Sequence, residues 1–360
     1  MAIHVKEFEI DKFRGIDRLR IEGLNHVNLL LGDNNTGKTS VLECMRSICE
    51  PASFWNWHYV SRMSDRSGRS LFEGMYNLFP ADENSLKISY AFVDNNERRV
   101  SVVVKGDIEK VQIQAREMER LNGFIPTGNQ KDKIWDRLVD SNCLRLEFYI
   151  DGVLKNEFNL YDFLRRIGNE KVSDEFYKTV LVRPMDHINE VSNLNAVLED
   201  AEYIKKFIDV LKIYDNSIEG IQSIDRSMGA EYKIVSSIHK KAIPLSSYGD
   251  GMKKAVELVS AVVSASGGLL LIDEFETSIH VSAMAETFQW VLDAAKEMNV
   301  QLVMTTHSCE ALNTVLNCKK QFEDDINVYT LYKKEDKNYV RKLNCREALD
   351  LQNKMGLELR

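Results

Sequence analysis

Nine residues limit what this chain can fold into more than any others. Leu31 to Thr39 read "LGDNNTGKT", with a strand-like run, "HVNLL", before them and a helix-like run, "SVLECMRSI", after. Gly and Asn tolerate positive φ, so an ordinary turn would account for "GDNN". It would not account for Lys38 and Thr39 at the head of a helix. Gly32, Gly37, Lys38 and Thr39 match G-x-x-x-x-G-K-[ST] in the strand–loop–helix context that this phosphate loop requires. The expected binder is the whole stretch Gly32, Asp33, Asn34, Asn35, Thr36, Gly37, Lys38, Thr39 and Ser40. Its N–H groups and the helix N-terminus would cradle phosphates. Lys38 would reach the β- and γ-phosphates, and the Thr39 hydroxyl would sit on Mg²⁺.

Length and composition leave room for this. The chain has 360 residues, 44% apolar and 28% charged, which suits a large soluble core with two lobes. Its net charge of −8 argues against a broadly basic nucleic-acid binder. Six cysteines lie scattered with no metal spacing, which points to reduced thiols and a cytoplasmic location. The N-terminus carries no apolar signal core, and the run "AVVSASGGLLLI" is broken by Gly-Gly, so no membrane span is expected.

Along the chain, residues 3–31 read as three short strands. Hairpin signals follow at "DNNE" and "DGV". Residues 107–140 and 160–178 look helical, "KTVLVRP" reads as a strand, and 186–225 as one or two amphipathic helices. Beyond that, strand and helix alternate. Sustained heptads are missing, which excludes a coiled-coil tether.

Three further segments can serve a bound triphosphate. "GGLLLIDEFE" is a buried strand with acids at its C-terminal end, where ligands of parallel sheets sit. Asp273 can hold Mg²⁺, and Glu274 can orient or deprotonate the attacking water. "QLVMTTHS" is a second such strand, ending in Thr305, Thr306 and His307. The histidine can sense the γ-phosphate or the water. In "LSSYGDGMKK", Ser246 or Ser247 can cap a helix whose glycines leave N–H groups open. The phosphate loop already holds its own nucleotide, so that helix would reach one on another subunit. An ordinary capped helix is the plainer reading.

Together "GDNNTGKTS", "SSYGDGMKK", "LLLIDEFE", "SIHVS" and "TTHS" resemble the ABC-type ATPases of the OLD-like group, AAA-family relatives of RecF and SMC heads. The resemblance covers nearly the whole chain and is weakest across 51–180. It implies an α/β P-loop NTPase fold of ABC type: a mixed central sheet, an N-terminal antiparallel β subdomain and an inserted helical lobe. Residues 1–50 and 226–360 would form the core, with 51–225 inserted.

By the same resemblance, Lys38 and Thr39 are the Walker A pair, Asp273 the magnesium ligand and Glu274 the catalytic base. His307 is the switch histidine. Ser247, Tyr248, Gly249 and Asp250 resemble the signature that contacts the opposite subunit's γ-phosphate, although Tyr248 and Asp250 depart from the commoner S-G-G-Q. Ser278 and His280 resemble the D-loop. Arg14 resembles the arginine of RecF and SMC relatives that touches its own nucleotide, with a solvated strand end as the other reading. No Q-loop glutamine is placed: Gln112 and Gln114 lack context.

The resemblance further implies two ATPs and Mg²⁺ held between two heads of a homodimer, with higher assembly open, and slow turnover. About fifty residues follow His307, so no TOPRIM nuclease domain is expected in this chain. An effector nuclease or toxin would be a separate polypeptide, as in two-gene anti-phage systems such as PARIS. A RecF-like DNA-repair ATPase is the alternative, and direct DNA binding stays open. "NQKD" at 129–132 has the wrong order for a guanine motif, "QFEDD" reads as a solvated loop, and "FWNWHYV" as a satellite core or a stacking platform.

Overall fold

Alternation of β-branched and polar residues in the first thirty positions yields three strands, β1 (Val5–Phe13), β2 (Ile16–Ile21) and β3 (Val27–Leu31). The structure is a computed structural model that describes residues 3–61, 70–81, 85–122, 137–165, 174–188, 194–226, 229–318, 322–335 and 337–355. "NQKD" lies outside them.

α1 (Lys38–Arg46) follows the phosphate loop. "FWNWHYV" then forms α2 (Phe54–Val60), capped by the Ser53 side chain accepting from the Asn56 N–H. Phe54, Trp57 and Val60 are fully buried in the core shared with α1 and the antiparallel sheet, so the stretch is part of a main core rather than the expected satellite one. α3 (Leu71–Tyr76) leads to β4 (Leu86–Asp94) and β5 (Arg99–Gln114). A short α4 (Ala115–Leu121) precedes β6 (Leu138–Ile150), and β7 (Val153–Tyr161) returns through the "DGV" turn. These strands form an antiparallel sheet ordered β2-β1-β4-β5-β6-β7.

Two helical expectations fail here. Residues 107–114 are strand, paired with β6 from Asp107↔Arg145 to Gln114↔Leu138. The described parts of 160–178 carry no helix. Backbone pairing in a long exposed ribbon overrides the helix-favouring Glu and Lys side chains there.

β8 (Thr179–Val182) joins the second sheet rather than an insertion. It pairs in parallel with β12 (Leu269–Ile272) through Leu269↔Thr179 to Ile272↔Val182. Between them run α5 (Asn195–Leu198), α6 (Ala201–Tyr214), β9 (Ile218–Arg226), β10 (Gly229–Ser236), β11 (Ile243–Pro244) and α7 (Asp250–Ser264). Residues 218–225, expected as helix, are thus strand, because β9 zips against β10 along its whole length. The division at 51–225 is also not where the pairing divides the chain. β1 and β2 share a sheet with β4–β7, and β8 belongs to the parallel sheet.

α8 (Val281–Glu297), β13 (Gln301–Thr305), α9 (Cys309–Leu316), β14 (Ile326–Lys334), β15 (Lys337–Asn344) and α10 (Cys345–Met355) complete the chain. The central sheet runs β15-β14-β3-β13-β12-β8, parallel except for the β14–β15 hairpin. Its parallel strands β3, β12 and β13 are buried on both faces, as parallel strands require. Leu270, Ile272, Leu302 and Met304 face the core built on α6–α9. Leu269, Leu271 and Val303 face the core shared with α1, α2 and the antiparallel sheet. The Gln301 side chain joins the two sheets. Its Oε1 accepts from the His4 and Val5 N–H groups, and its Nε2 donates to the Val5 and Asn25 carbonyls. Among the described residues no helix is long and apolar enough to cross a membrane.

Candidate nucleotide site

The phosphate loop leaves the C-terminal end of β3 and turns into α1. Gly32 sits at φ 138°, and a Cβ there would lie 2.2 Å from the Leu331 carbonyl oxygen on β14, so only glycine fits. Asn35 and Gly37 also take positive φ, and Gly37 caps α1 without a side-chain bond. Thr36 Oγ1 donates to the Asp33 carbonyl (2.9 Å), closing the turn. The first turn of α1 holds no acid, so its N–H groups present an uncompensated positive end.

Lys38 is buried, and its ammonium donates to the carbonyls of Gly32 (2.7 Å) and Asp33 (2.9 Å). It therefore arches over its own loop, where β- and γ-phosphates would lie. Burial pushes its pKa below the ordinary value, while the carboxylates of Asp273, Glu274, Asp33 and Glu276 act against that. Ser40 follows in the helix, half-buried.

The acids come from the next strands. The Asp273 N–H donates to Val182 O, and the Asp273 carboxylate points at α1. Its Oδ2 accepts from Thr39 Oγ1 (2.8 Å), and its Oδ1 accepts from Thr305 Oγ1 (2.6 Å). A hydroxyl and a carboxylate held this close are the donor set that an octahedral, oxygen-seeking Mg²⁺ shares with water and phosphate.

Glu274 sits at φ 46°, and its N–H donates to Thr305 Oγ1 (2.8 Å). The strained φ and this bond turn its carboxylate toward His307, whose Nε2 lies 3.8 Å from Oε1. The His307 N–H in turn donates to Glu276 Oε1 (3.1 Å). A cleft of about 410 Å³ opens between these groups, lined by Gly32, Asp33, Asn34, Glu274, Glu276 and His307. The residues singled out at 32–40, 273–274 and 307 thus converge at one sheet end. Thr305 and Glu276 complete the set, although the sequence reading gave neither a role.

Other expected residues stand elsewhere. The Arg14 guanidinium bonds Glu43 on α1 and donates to the Val60 carbonyl (3.0 Å). It is held in a largely buried ion pair with the helix behind the loop, a correction to the reading of a solvated strand end. Gln112 lies on β5 and donates to Asp140, and Gln114 pairs with Leu138 in the β5–β6 ribbon. Glu323 and Asp324 of "QFEDD" take ion pairs from Arg346.

Ser247, Tyr248, Gly249 and Asp250 form the entry to α7. Ser247, Gly249 and Asp250 are exposed, and nothing lies within 4 Å of where a Gly249 Cβ would be. α7 begins without a side-chain cap, so its first N–H groups stay open. Asp250 Oδ1 is drawn aside by Lys253 (3.2 Å). Ser278, at φ 69°, bonds the His187 Nε2 (3.0 Å), and its carbonyl lies against Gly251. His280 caps α8 by accepting from the Ser282 N–H. His187 follows β8, and no signal in the sequence marked it.

Comparison with known proteins gives a family and a fold. The model of the AAA-domain family described as putative AbiEii toxin, type IV TA system, matches residues 27–313. An "ATP/GTP phosphatase" of Helicobacter pylori is 22% identical over 93% of this chain and 94% of its own length. The "Endonuclease GajA" of Bacillus cereus is 20% identical over 89% of this chain, which spans 56% of that protein. An SMC head, solved bound to the C-winged-helix domain of ScpA, superposes with a TM-score of 0.52 at 10% identity. It covers 97% of this chain and 100% of that one, and shows the fold. The chain belongs to the AAA-domain family of putative AbiEii toxins and is a nucleotide hydrolase of the AAA/ABC type.

Proposed function

We propose that this protein is a magnesium-dependent ATP switch that closes head to head on ATP and controls a separately encoded effector in anti-phage defence. The observation that carries the switch is a split. Loop, acids and histidine converge on one cleft, while the open N-terminus of α7 lines no part of it.

In this reading the Gly32–Ser40 loop binds the β- and γ-phosphates, and Lys38 exchanges its carbonyl partners for phosphate oxygens. Thr39 and Asp273 would hold Mg²⁺, which supplies charge neutralisation to the leaving ADP. Glu274 takes the proton from the attacking water, whose oxygen bonds the γ-phosphorus as the bond to the β,γ-bridging oxygen breaks. His307 steadies the γ-phosphate and registers its loss. Ser247 and the Gly249 N–H of a second copy complete the pocket, and Ser278 and His280 lie where the copies meet. Hydrolysis removes the shared phosphate and loosens the pair, so the nucleotide acts as a two-state bias on a contact. The effector reading rests on the toxin description of the family and on likeness to an endonuclease.

The test is a pull-down of tagged Glu274→Gln protein from its native host, with ATP and Mg²⁺ and with parallel nuclease treatment. A stoichiometric, nuclease-resistant protein partner is expected. Recovery of DNA and repair proteins, lost on nuclease treatment, would replace the effector reading with a RecF-like one.

A further inference from the structure

A cleft larger than the nucleotide site lies apart from it. It lies on the outer helical face, between α6, α8 and α9, and encloses about 960 Å³. Its floor includes Ile213 and the half-buried Trp290, and Asp209, Glu286, Asp293 and Glu310 stand around it. No lysine or arginine lines it among the described residues. Asp209, Glu286 and Glu310 make no ion pair among those residues either. An apolar floor beside the carboxylates of Asp209, Glu286 and Glu310 calls for an occupant with an aliphatic tip and adjacent positive charges.

The same chain displays such an element. Residues 237–242 join β10 to β11. Ile238 in that loop is 70% exposed, more than any other large apolar side chain among the described residues. His239, Lys240 and Lys241 follow it, all exposed, and neither lysine has an ion-pair partner among the described residues. The loop is held ready. Both the N–H and the hydroxyl of Ser237 donate to the Ser217 carbonyl, and the Ile238 N–H donates to Ser236 Oγ. None of its residues lines the cleft of its own molecule. Yet the two features border one another along the chain. Ile213, at the end of α6, lines the cleft, and Ser217, four residues on, anchors the loop.

We propose that a second copy of this chain docks here, each copy seating its Ile238–Lys241 tip in the acidic, Trp290-floored cleft of the other. A knob and a socket carried by the same chain can be exchanged between two copies, which closes as a two-fold pair when each tip enters the other's cleft. The contact uses neither the phosphate loop nor the signature helix. It therefore forms without nucleotide and, together with ATP-driven pairing, would give assemblies larger than a dimer.

The experiment reads mass in solution without nucleotide, by sedimentation, at micromolar concentration. Wild type is expected to reach twice the monomer mass. Lys240→Glu/Lys241→Glu protein places acid against acid, and Asp209→Lys/Glu286→Lys protein places base against base. Each alone is expected to remain a folded monomer by circular dichroism. Mixing the two restores opposite charges at both contacts, so the mixture is expected to regain the doubled mass. A wild type that stays monomeric overturns the proposal and leaves a basic segment of another protein as the occupant. So does a doubled mass that both variants keep, or a mixture of folded variants that stays monomeric. Because no nucleotide is present, failure here leaves the ATP-dependent pairing untouched.

Discussion

At the scale of single residues, the site depends on one hydroxyl that serves two acids. Thr305 Oγ1 donates to Asp273 Oδ1 and accepts the Glu274 N–H. Thr305→Val keeps the shape and removes both bonds. Stability should fall by about 1–3 kcal/mol, the cost of leaving buried polar groups unpaired. Turnover should fall roughly 10- to 100-fold, as when outer-shell partners of a metal site are lost, while nucleotide affinity stays within a few-fold. Steady-state kinetics beside equilibrium binding checks this, and unchanged turnover would remove Thr305 from the positioning role. Lys38→Ala should lose measurable nucleotide binding in the same assay, because Lys38 arches over the loop and no lysine or arginine lines the cleft among the described residues. Most of this was legible beforehand. Glycines, lysine, threonine and acids occur at spacings that phosphate chemistry dictates. Thr305 could have been found from register alone, since Met304 pairs with Ile272 and so puts Thr305 beside Asp273. Arg14 could not, because its partner Glu43 is buried on the far side of a helix and leaves no local pattern.

At the scale of elements, α7 carries a buried ion pair as well as its open N-terminus. Lys254 on that helix is fully buried and donates to the Arg183 carbonyl after β8, with Glu257 3.0 Å away. Burial raises the Glu257 pKa from 4.5 to about 7, with Lys254 opposing the shift and Asp186 adding to it. The folded state thus keeps a proton that the unfolded chain releases. Stability from this group is full below about pH 4.5 and lost as pH rises through about 7. His187 acts the other way. Burial and Lys254 lower its pKa, so its contribution is present above the ordinary value and lost as pH falls below it. Glu257→Gln should flatten the decline above pH 5 that Glu257 produces, which is worth at most about 3 kcal/mol. Denaturant midpoints across pH 5 to 8 would show it, and an unaltered slope would assign the decline to other groups. The element-scale misreadings have a shared cause. In "DIEKVQIQ" most side chains stay outside the core, so neither helix nor strand periodicity is enforced, and only the pairing with β6 decides. β9 likewise owes its state to β10, a partner some ten residues away in sequence.

At the scale of the whole molecule, the phosphate-loop cleft and the start of α7 are separate places on the carboxyl-end side of the central sheet. The phosphate loop, Asp273 and Glu274 lie at the carboxyl ends of the central strands, whereas α7 starts from the lobe between β8 and β12. The Ser278 carbonyl lies against Gly251, so the turn after β12 packs on the first turn of α7. A partner's γ-phosphate approaching that turn would meet open N–H groups and an exposed Ser247 hydroxyl. An arginine at 247 fills this space without touching the chain's own loop. Glu274→Gln protein with ATP and Mg²⁺ should therefore gain one further copy per chain over its nucleotide-free mass. Adding Ser247→Arg should abolish that gain while ATP affinity stays within a few-fold, and chelating Mg²⁺ should abolish hydrolysis in the wild type. Light scattering beside nucleotide titration separates these outcomes. If the Ser247→Arg protein still gains mass on ATP, the signature helix is not the partner of the opposite nucleotide, and the contact between heads must be sought on another face.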